Sequence, residues 1–271
     1  MVETFERGGK RITLIDLSDT LDNSTSDFEP NRHEITYIDH KKGMEMAVQV
    51  FPAAEPILPR LFPEGHAWAV EIVNLSTHSG THVDAPYHYG PTSGGRPART
   101  IEQVPLRWCF GDGVLLDMTH KQRGEGITAA DIEAKLEEIG YEIKPYDIVL
   151  VRTGTSRYFK EKGYDMRHAG LTRDATEYLV DRGVKLIGID AWGLDRPFDV
   201  MFQEAAAGVE GRFWESHFLG KEKEYCQIEK LANLDKLPRP YGFTVMAFPF
   251  KIKGASAGWT RVVAMFEEDI G

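Results

Sequence analysis

From about residue 113 onward, apolar residues form short runs typical of buried strands. Val184–Ile189 is almost continuously apolar, as expected for a strand buried on both faces of a sheet. Gly113–Met118 and Asp147–Arg152 follow a similar pattern. Phe243–Phe250 and Thr260–Phe266 alternate between apolar and polar positions, which predicts half-buried strands near the end of the chain.

Two segments between these strands have the pattern of amphipathic helices. Thr128–Ile139 opens with a capping-box-like Thr128-Ala-Ala-Asp131 and has apolar residues at 132, 136 and 139. Thr172–Arg182 begins at a capping threonine and stops before Gly183. The strand–helix–strand order predicts an α/β fold with a mixed sheet and extra antiparallel strands.

The first 75 residues have a weaker pattern. Arg11–Leu17 predicts a strand, and so does Trp68–Leu75, which leads into the segment that follows. Residues 18–66 are rich in Pro, Asp and Glu; we interpret them as an excursion with short strands, such as Glu34–Asp39, that covers the site or reaches a partner subunit. No repeat or linker divides the chain, so we expect 1–271 to form a single domain.

Composition narrows the class of protein. The chain has 271 residues and a formal net charge of −10, which argues against nucleic acid or an anionic membrane surface as a partner. Its two cysteines, Cys109 and Cys226, are expected to be buried free thiols. No apolar run reaches membrane-spanning length and no signal peptide is recognisable, so we expect a cytoplasmic protein.

The segment His78-Ser-Gly-Thr-His82-Val-Asp84-Ala-Pro-Tyr-His88 carries the chemistry of this chain. Read as an extended segment, it places three imidazoles and one carboxylate on the same face. In a flat strand His78 and His82 would lie roughly 13 Å apart, too far to share an ion through bonds of ~2 Å. The backbone must therefore bend, and Gly80 is the residue that can bend.

Imidazole and carboxylate together suit a divalent transition metal such as zinc, manganese or iron. We expect His78, His82 and Asp84 to be metal ligands. His88 follows Pro86, which stiffens the chain, so we expect it to reach the bound water and act as the catalytic acid–base instead. The alternative is a polar loop whose histidines only form local hydrogen bonds.

These eleven residues resemble the signature of the cyclase family of metal-dependent hydrolases, which includes bacterial kynurenine formamidase (arylformamidase) and isatin hydrolase. A looser resemblance extends over most of the chain from about Ile12 onward, through Gly183–Asp190, His217, Ile228–Leu231 and Phe243–Pro249. The resemblance implies a swivelling β/β/α-type fold. It is specific for the family and weak for the substrate.

The resemblance also implies two further metal ligands. In the formamidases a histidine and, twelve residues later, a glutamate complete the site, and His217 and Glu229 have that spacing. From the residues alone, a core histidine and a surface carboxylate would be expected. For the formamidases the family pattern implies a site with two metal ions. Isatin hydrolase has glutamine at the later position, which implies a site with one manganese ion. The chain is thus expected to bind one or two divalent ions, Zn²⁺ or Mn²⁺.

The function expected from this resemblance is hydrolysis of a non-peptide C–N bond in a small amide, of the arylformamidase type, through a metal-bound hydroxide. One alternative is the opening of a cyclic imide or lactone, as in isatin hydrolase or dienelactone hydrolase. Another is a metal-binding protein without turnover. No Gly-x-Ser-x-Gly nucleophile elbow is present. A homodimer or homotetramer is expected.

The remaining candidates have plainer interpretations. Asp190 ends a predicted strand and is expected to hold a turn or to hydrogen-bond a ligand. Four aromatic residues belong either to a pocket or to the core: Trp68, Trp192, Phe213 and Trp214. The other five histidines are expected mostly at the surface: His33, His40, His66, His120 and His168.

Overall fold

The structure is a computed structural model, and it describes residues 1–270. Within that range the chain forms two compact units, one made of residues 1–21 with 77–270 and the other of residues 22–76. The strands are β1 (Val2–Arg7), β2 (Lys10–Asp16), β3 (Glu34–Ile38), β4 (Val70–Asn74), β5 (His82–Asp84), β6 (Thr92–Ser93), β7 (Arg96–Pro97), β8 (Phe110–Asp117), β9 (Gly126–Ile127), β10 (Ile148–Arg152), β11 (Gly170–Leu171), β12 (Leu186–Ile189), β13 (Cys226–Glu229), β14 (Phe243–Met246), β15 (Ala257–Trp259) and β16 (Val263–Asp269).

Among the described residues the helices are fewer than the strands. They are α1 (His40–Val50), α2 (Leu58–Leu61), α3 (Pro86–Tyr89), α4 (Ala129–Ile139), α5 (Arg173–Asp181), α6 (Phe198–Ala206) and α7 (Glu215–Glu222). No helix among the described residues is long and apolar enough to cross a lipid bilayer.

One large sheet organises the first unit, in the order β1-β2-β16-β14-β8-β10-β12-β13-β5-β15. The central strands β8, β10, β12 and β13 are parallel. The strands on either side of them pair antiparallel with their neighbours. The predicted α/β class, with a mixed sheet and extra antiparallel strands, is confirmed.

The two faces of the sheet bury different sets of residues. Along β10, Ile148 and Leu150 pack into one apolar cluster, whereas Val149 and Val151 pack into another that also contains residues of α4 and α5. This alternation is the period of a strand buried on both faces. Helices α4 and α5 therefore lie on one side of the sheet, and the segments around Trp108 and Leu234 cover the other.

Local signals set the ends of the predicted helices. The Thr128 side chain accepts from the Asp131 backbone N–H, and the Asp131 carboxylate accepts in return from the Thr128 N–H, so the predicted capping box is confirmed. The second predicted helix is α5, which follows Thr172 and ends at Asp181. Gly183 then adopts a φ of +87°, a conformation that favours glycine.

The unit of residues 22–76 differs from the predicted excursion of short strands. It contains α1, whose N-terminus is capped by the Asp39 carboxylate accepting from the Lys42 N–H at 2.9 Å. β3 and β4 form a separate antiparallel pair, with Glu34 opposite Asn74. The strand predicted at Trp68–Leu75 therefore pairs within this unit and is not part of the large sheet. Helix α1 was not expected, because the apolar residues of its sequence are weakly periodic.

Candidate metal centre

Four polar side chains meet on one face of the sheet where β13 pairs with β5. The antiparallel register places Gln227 opposite Asp84 and Glu229 opposite His82. Because alternate residues of a strand share a face, all four point to the side of the sheet that carries the helices. The valine and isoleucine between them point into the opposite core cluster. The register of two short strands thus assembles the centre of the site.

His78 joins this face through a turn. Gly80 has a φ of +63°, so the predicted bend at this glycine is confirmed. The extended conformation expected for the whole segment is wrong outside β5, because residues 77–81 turn and α3 begins at Pro86. The turn brings His78 Nδ1 to 2.8 Å from Asp84 Oδ1, and His78 Nε2 lies 3.0 Å from Ser256 Oγ.

Two buried atoms at the centre lack hydrogen-bond partners. His82 Nδ1 lies 2.8 Å from the Gly80 carbonyl oxygen and donates to it, which leaves a lone pair on His82 Nε2. That nitrogen lies 3.2 Å from Asp84 Oδ1, and neither atom has a partner in hydrogen-bonding geometry, since the 2.8 Å approach of His78 Nδ1 to Asp84 Oδ1 is a close contact without that geometry. Buried polar atoms are rarely left in this state, and a shared cation would satisfy both. The residues present therefore fit a metal ion.

His88 lies on α3, where Pro86 occupies the first turn. Its Nε2 is 4.0 Å from Asp84 Oδ2, and its ring centroid is 4.2 Å from that of His78. Burial lowers the pKa of His88 to about 4, although the Asp84 carboxylate opposes the shift. The imidazole is therefore neutral at pH 7 and can accept a proton.

His217 is held from two sides on α7. The Asp195 carboxylate accepts from His217 Nδ1 and from the backbone N–H of Ser216, the latter at 2.7 Å. Trp214, which has a φ of +51° at the start of α7, stacks on the His217 ring with centroids 4.2 Å apart and planes 11° apart. These contacts direct His217 Nε2 toward Gln227 Nε2, at 2.7 Å.

Glu229 is the second carboxylate of the site. Its Oε1 accepts from the Leu194 N–H at 3.2 Å and from Gln227 Nε2 at 3.1 Å, and its Oε2 lies 3.6 Å from His82 Nε2. Burial raises the pKa of Glu229 well above its usual range, and the charge of Asp84 adds to this. A nearby cation would offset both effects and favour the ionised form.

Asp84 has the opposite shift. Burial alone would raise its pKa, but the surrounding imidazoles of His88, His82 and His78 outweigh burial and hold it well below its usual range. Asp84 is fully buried. It therefore presents an anionic oxygen at the centre of the histidine cluster.

All six predicted site residues are brought together. Five of them form two overlapping ligand groups, and Glu229 lies beside these groups, with its Oε2 3.6 Å from His82 Nε2. The ligand atoms lie within 4.8 Å of one another in each group, one of His78, His82 and Asp84 and the other of Asp84, His88 and His217. Mixed nitrogen and oxygen donors of this kind suit Zn²⁺ or Mn²⁺. Asp84 belongs to both groups, so it occupies the position of a potential bridging ligand.

Other predicted residues have varied positions. Of the aromatic candidates, Trp214 contacts the site histidines, whereas Phe213 packs in an aromatic cluster with Phe198 and Phe202. The expectation of surface histidines is wrong for His33 and His168, which are 4% and 1% exposed. Both lie in polar sequence, and their burial depends on tertiary contacts that the sequence pattern does not show.

Three contributors to the site were not predicted: Gln227, Asp195 and Ser256. Gln227 had a signal, because it lies two residues before Glu229 in a strand and must share its face. No sequence signal marked Asp195, and the aspartate that the sequence pattern indicated in this segment was Asp190. Asp190 accepts from the Gly154 N–H at 2.9 Å and from Thr153, so its predicted role in holding a turn is confirmed.

The fold is shared with solved structures. An isatin hydrolase bound to the product analogue thioisatinate superposes with a TM-score of 0.72 at 24% sequence identity, over 95% of this chain and 93% of that one. Isatin hydrolase A from Ralstonia solanacearum gives a TM-score of 0.72 at 24% identity, over 94% and 92% of the two chains. At this identity the likeness shows the fold alone.

Sequence comparison assigns the family. Kynurenine formamidase from Paracidovorax citrulli (strain AAC00-1) is 27% identical over 230 residues, covering 78% of this chain and 91% of the relative. Kynurenine formamidase from Maricaulis maris (strain MCS10) is 29% identical over 194 residues, covering 72% and 79%. Residues 15–196, more than half of the chain, match the model of the family Cyclase ("Putative cyclase"). The chain therefore belongs to the cyclase family.

Proposed function

We propose that this chain is a metal-dependent hydrolase that cleaves a non-peptide C–N bond in a small amide, of the arylformamidase type. The observation that carries the proposal is the pair of buried, unpartnered ligand atoms, His82 Nε2 and Asp84 Oδ1, beside a neutral His88. The relatives named kynurenine formamidase support a formamide as the substrate class.

His78, His82 and Asp84 would hold a divalent ion, Zn²⁺ or Mn²⁺, because their ligand atoms already converge. When bound, such an ion lowers the pKa of a water molecule toward neutrality and polarises a carbonyl oxygen. The Gly80 carbonyl fixes the tautomer of His82, and Ser256 orients His78. The protein thus supplies a preorganised set of three ligands.

His88 is proposed to move the proton. Its imidazole is neutral at pH 7 and its side chain is 27% exposed, so Nε2 can take a proton from the attacking water and return it to the leaving nitrogen. The nearby Asp84 carboxylate would stabilise the imidazolium formed in between. Metal binding by His88, as part of the second ligand group, is the competing role.

His217 and Glu229 are proposed to complete the site. Asp195 keeps the His217 proton on Nδ1, so that Nε2 presents a lone pair to the site. The Leu194 N–H orients the Glu229 carboxylate, whose other oxygen faces His82. Trp214 shields His217 from water through ring stacking.

A second candidate function is the opening of a cyclic imide or lactone. Gln227 Nε2 lies 3.1 Å from Asp84 Oδ2 and 2.7 Å from His217 Nε2. The Gln227 side chain thus contacts two residues of the second ligand group, which favours a site with one ion. A single ion is sufficient to activate water for attack on an imide or lactone carbonyl. The ligand set alone does not separate this reaction from amide hydrolysis.

The test is turnover of metal-reconstituted protein on N-formylkynurenine, isatin and dienelactone under identical conditions. We expect N-formylkynurenine to have the highest kcat/KM and His82→Ala to lose both bound metal and activity. A higher kcat/KM for isatin or dienelactone would instead identify a cyclic imide or a lactone as the substrate class. Full metal content in His82→Ala would overturn the ligand assignment, and metal binding without turnover of any substrate would indicate a non-catalytic protein.

We also propose a homodimer or homotetramer in the cytoplasm. The residues 22–76 unit exposes large apolar side chains, among them Tyr37 at 56% and Ile72 at 57%, which favour burial against a second copy. Cys109 and Cys226 are both free and buried, as is common in proteins of a reducing compartment.

A further inference from the structure

The side-chain amide of Gln227 contacts two members of the second ligand group, Asp84 and His217, and also contacts Glu229. Its Nε2 is 2.7 Å from His217 Nε2, 3.1 Å from Asp84 Oδ2 and 3.1 Å from Glu229 Oε1. Gln227 is fully buried, and its position opposite Asp84 in the β5–β13 ladder fixes the starting point of the side chain. A single nitrogen atom therefore faces three candidate metal ligands.

The hydrogen-bond acceptors around the Gln227 amide determine which way it is turned. Asp195 accepts from His217 Nδ1, so His217 Nε2 carries a lone pair and needs a donor. The facing oxygens of Asp84 and Glu229 are also acceptors when ionised. The amide must therefore present its NH₂ group. Its oxygen lies 3.3 Å from the Tyr225 hydroxyl, whose shorter hydrogen bond, at 2.8 Å, is to the Ser216 carbonyl oxygen.

We infer that Gln227 takes the place of a second cation, so that the chain binds one divalent ion through His78, His82 and Asp84. This inference rests on the proposed metal site. An NH₂ group supplies positive partial charge to lone pairs that a second ion would otherwise bind, and the two cannot occupy the same position. When both are ionised, the two carboxylates that face the site, Asp84 and Glu229, carry a charge that one divalent ion balances.

Titration of metal-free protein with Mn²⁺, followed by the electron paramagnetic resonance signal of the free ion, tests this inference. We expect one equivalent in the parent protein and two in Gln227→Ala, which vacates the position. Gln227→Met is the matched control: its side chain has a similar length, and a thioether is a poor ligand for a hard ion such as Mn²⁺. It should therefore stay at one equivalent.

The outcomes separate the inference from the proposed function. Two equivalents in the parent protein would overturn the role of Gln227 without any variant being needed. One equivalent in a folded Gln227→Ala, judged by circular dichroism, would overturn it as well. No binding by the parent protein would instead overturn the proposed metal site itself. Loss of the remaining equivalent in His82→Ala identifies the first site as the occupied one.

Discussion

Burial lowers the pKa of His88 to about 4, a clear effect on a histidine of the site. If it acts as the acid–base, His88→Gln should keep its metal while kcat falls by roughly 10²–10⁴-fold, the usual contribution of such a group. Steady-state kinetics and elemental analysis of the same preparation give both values. Loss of metal together with activity would assign His88 to the ligands instead.

Asp195 acts through His217. Asp195→Asn should lower kcat by roughly 10–100-fold, as is typical when the partner of a functional histidine is lost. The downfield proton resonance of His217 Nδ1–H should shift or disappear, which a purely structural role would not cause. Asp190→Asn is the control, because Asp190 holds a turn and does not contact His217. An equal loss of kcat in both variants would contradict a specific role for Asp195.

The residues of the site differ in how far sequence could identify them. His78, His82, Asp84 and His88 lie within eleven consecutive residues, so a local pattern was sufficient. Gln227 contacts Asp84 across 143 positions, and its role depends on a strand register that no local pattern specifies. Asp195 similarly depends on the position of a helix that begins twenty residues later.

At the scale of elements, α4 offers a clean test of local stability. Thr128→Ala removes one half of the capping box and should lower the free energy of unfolding by about 1 kcal/mol. Urea unfolding followed by circular dichroism measures the difference. The exposed Glu133 on the same helix provides the control, since Glu133→Ala should change stability by less than about 0.5 kcal/mol.

His168 connects β11 to the segment that carries Asp195. Its Nε2 donates to the Asp195 carbonyl oxygen at 3.0 Å, and burial lowers its pKa to about 4. Because the unfolded chain binds this proton near pH ~6.5, stability should fall as pH drops from about 6.5 to 4, by up to about 1.4 kcal/mol per pH unit. Urea unfolding at several pH values should show a smaller dependence in His168→Gln than in the parent protein. An identical dependence would contradict this.

Elements with strong local signals were predicted, and those held by tertiary contacts were not. The apolar run at Val184–Ile189 corresponds to β12, and the capping box at Thr128 marks the start of α4. Thr172 precedes α5 as predicted, but the expected capping hydrogen bond is wrong, because its hydroxyl donates to the Ile127 carbonyl oxygen instead. Helix α7 follows a left-handed Trp214, and the Asp195 carboxylate accepts from the N–H groups of its first turn. Because no residue of its own sequence caps it, no pattern marked its start.

At the scale of the whole molecule, the exposed apolar residues of the 22–76 unit predict self-association. Replacing Tyr37 and Val73, two exposed residues on the same face of the β3–β4 pair, by glutamate should shift the protein to a smaller species, because two charges would replace apolar area buried between copies. Sedimentation velocity measures the change. Thr36→Glu, at an exposed position on the opposite face of the pair, controls for charge alone. A monomeric parent protein would contradict the proposed oligomer.

The position of β5 in the sheet has a consequence for biosynthesis. β5 comes early in the chain, yet within the described residues its pairing partners are β13 and β15, which are made much later. During translation, His82 and Asp84 therefore leave the exit tunnel long before either partner strand is made. The proposed ligands lack the register of the finished sheet during that time, and we expect the ion to bind after these strands are complete.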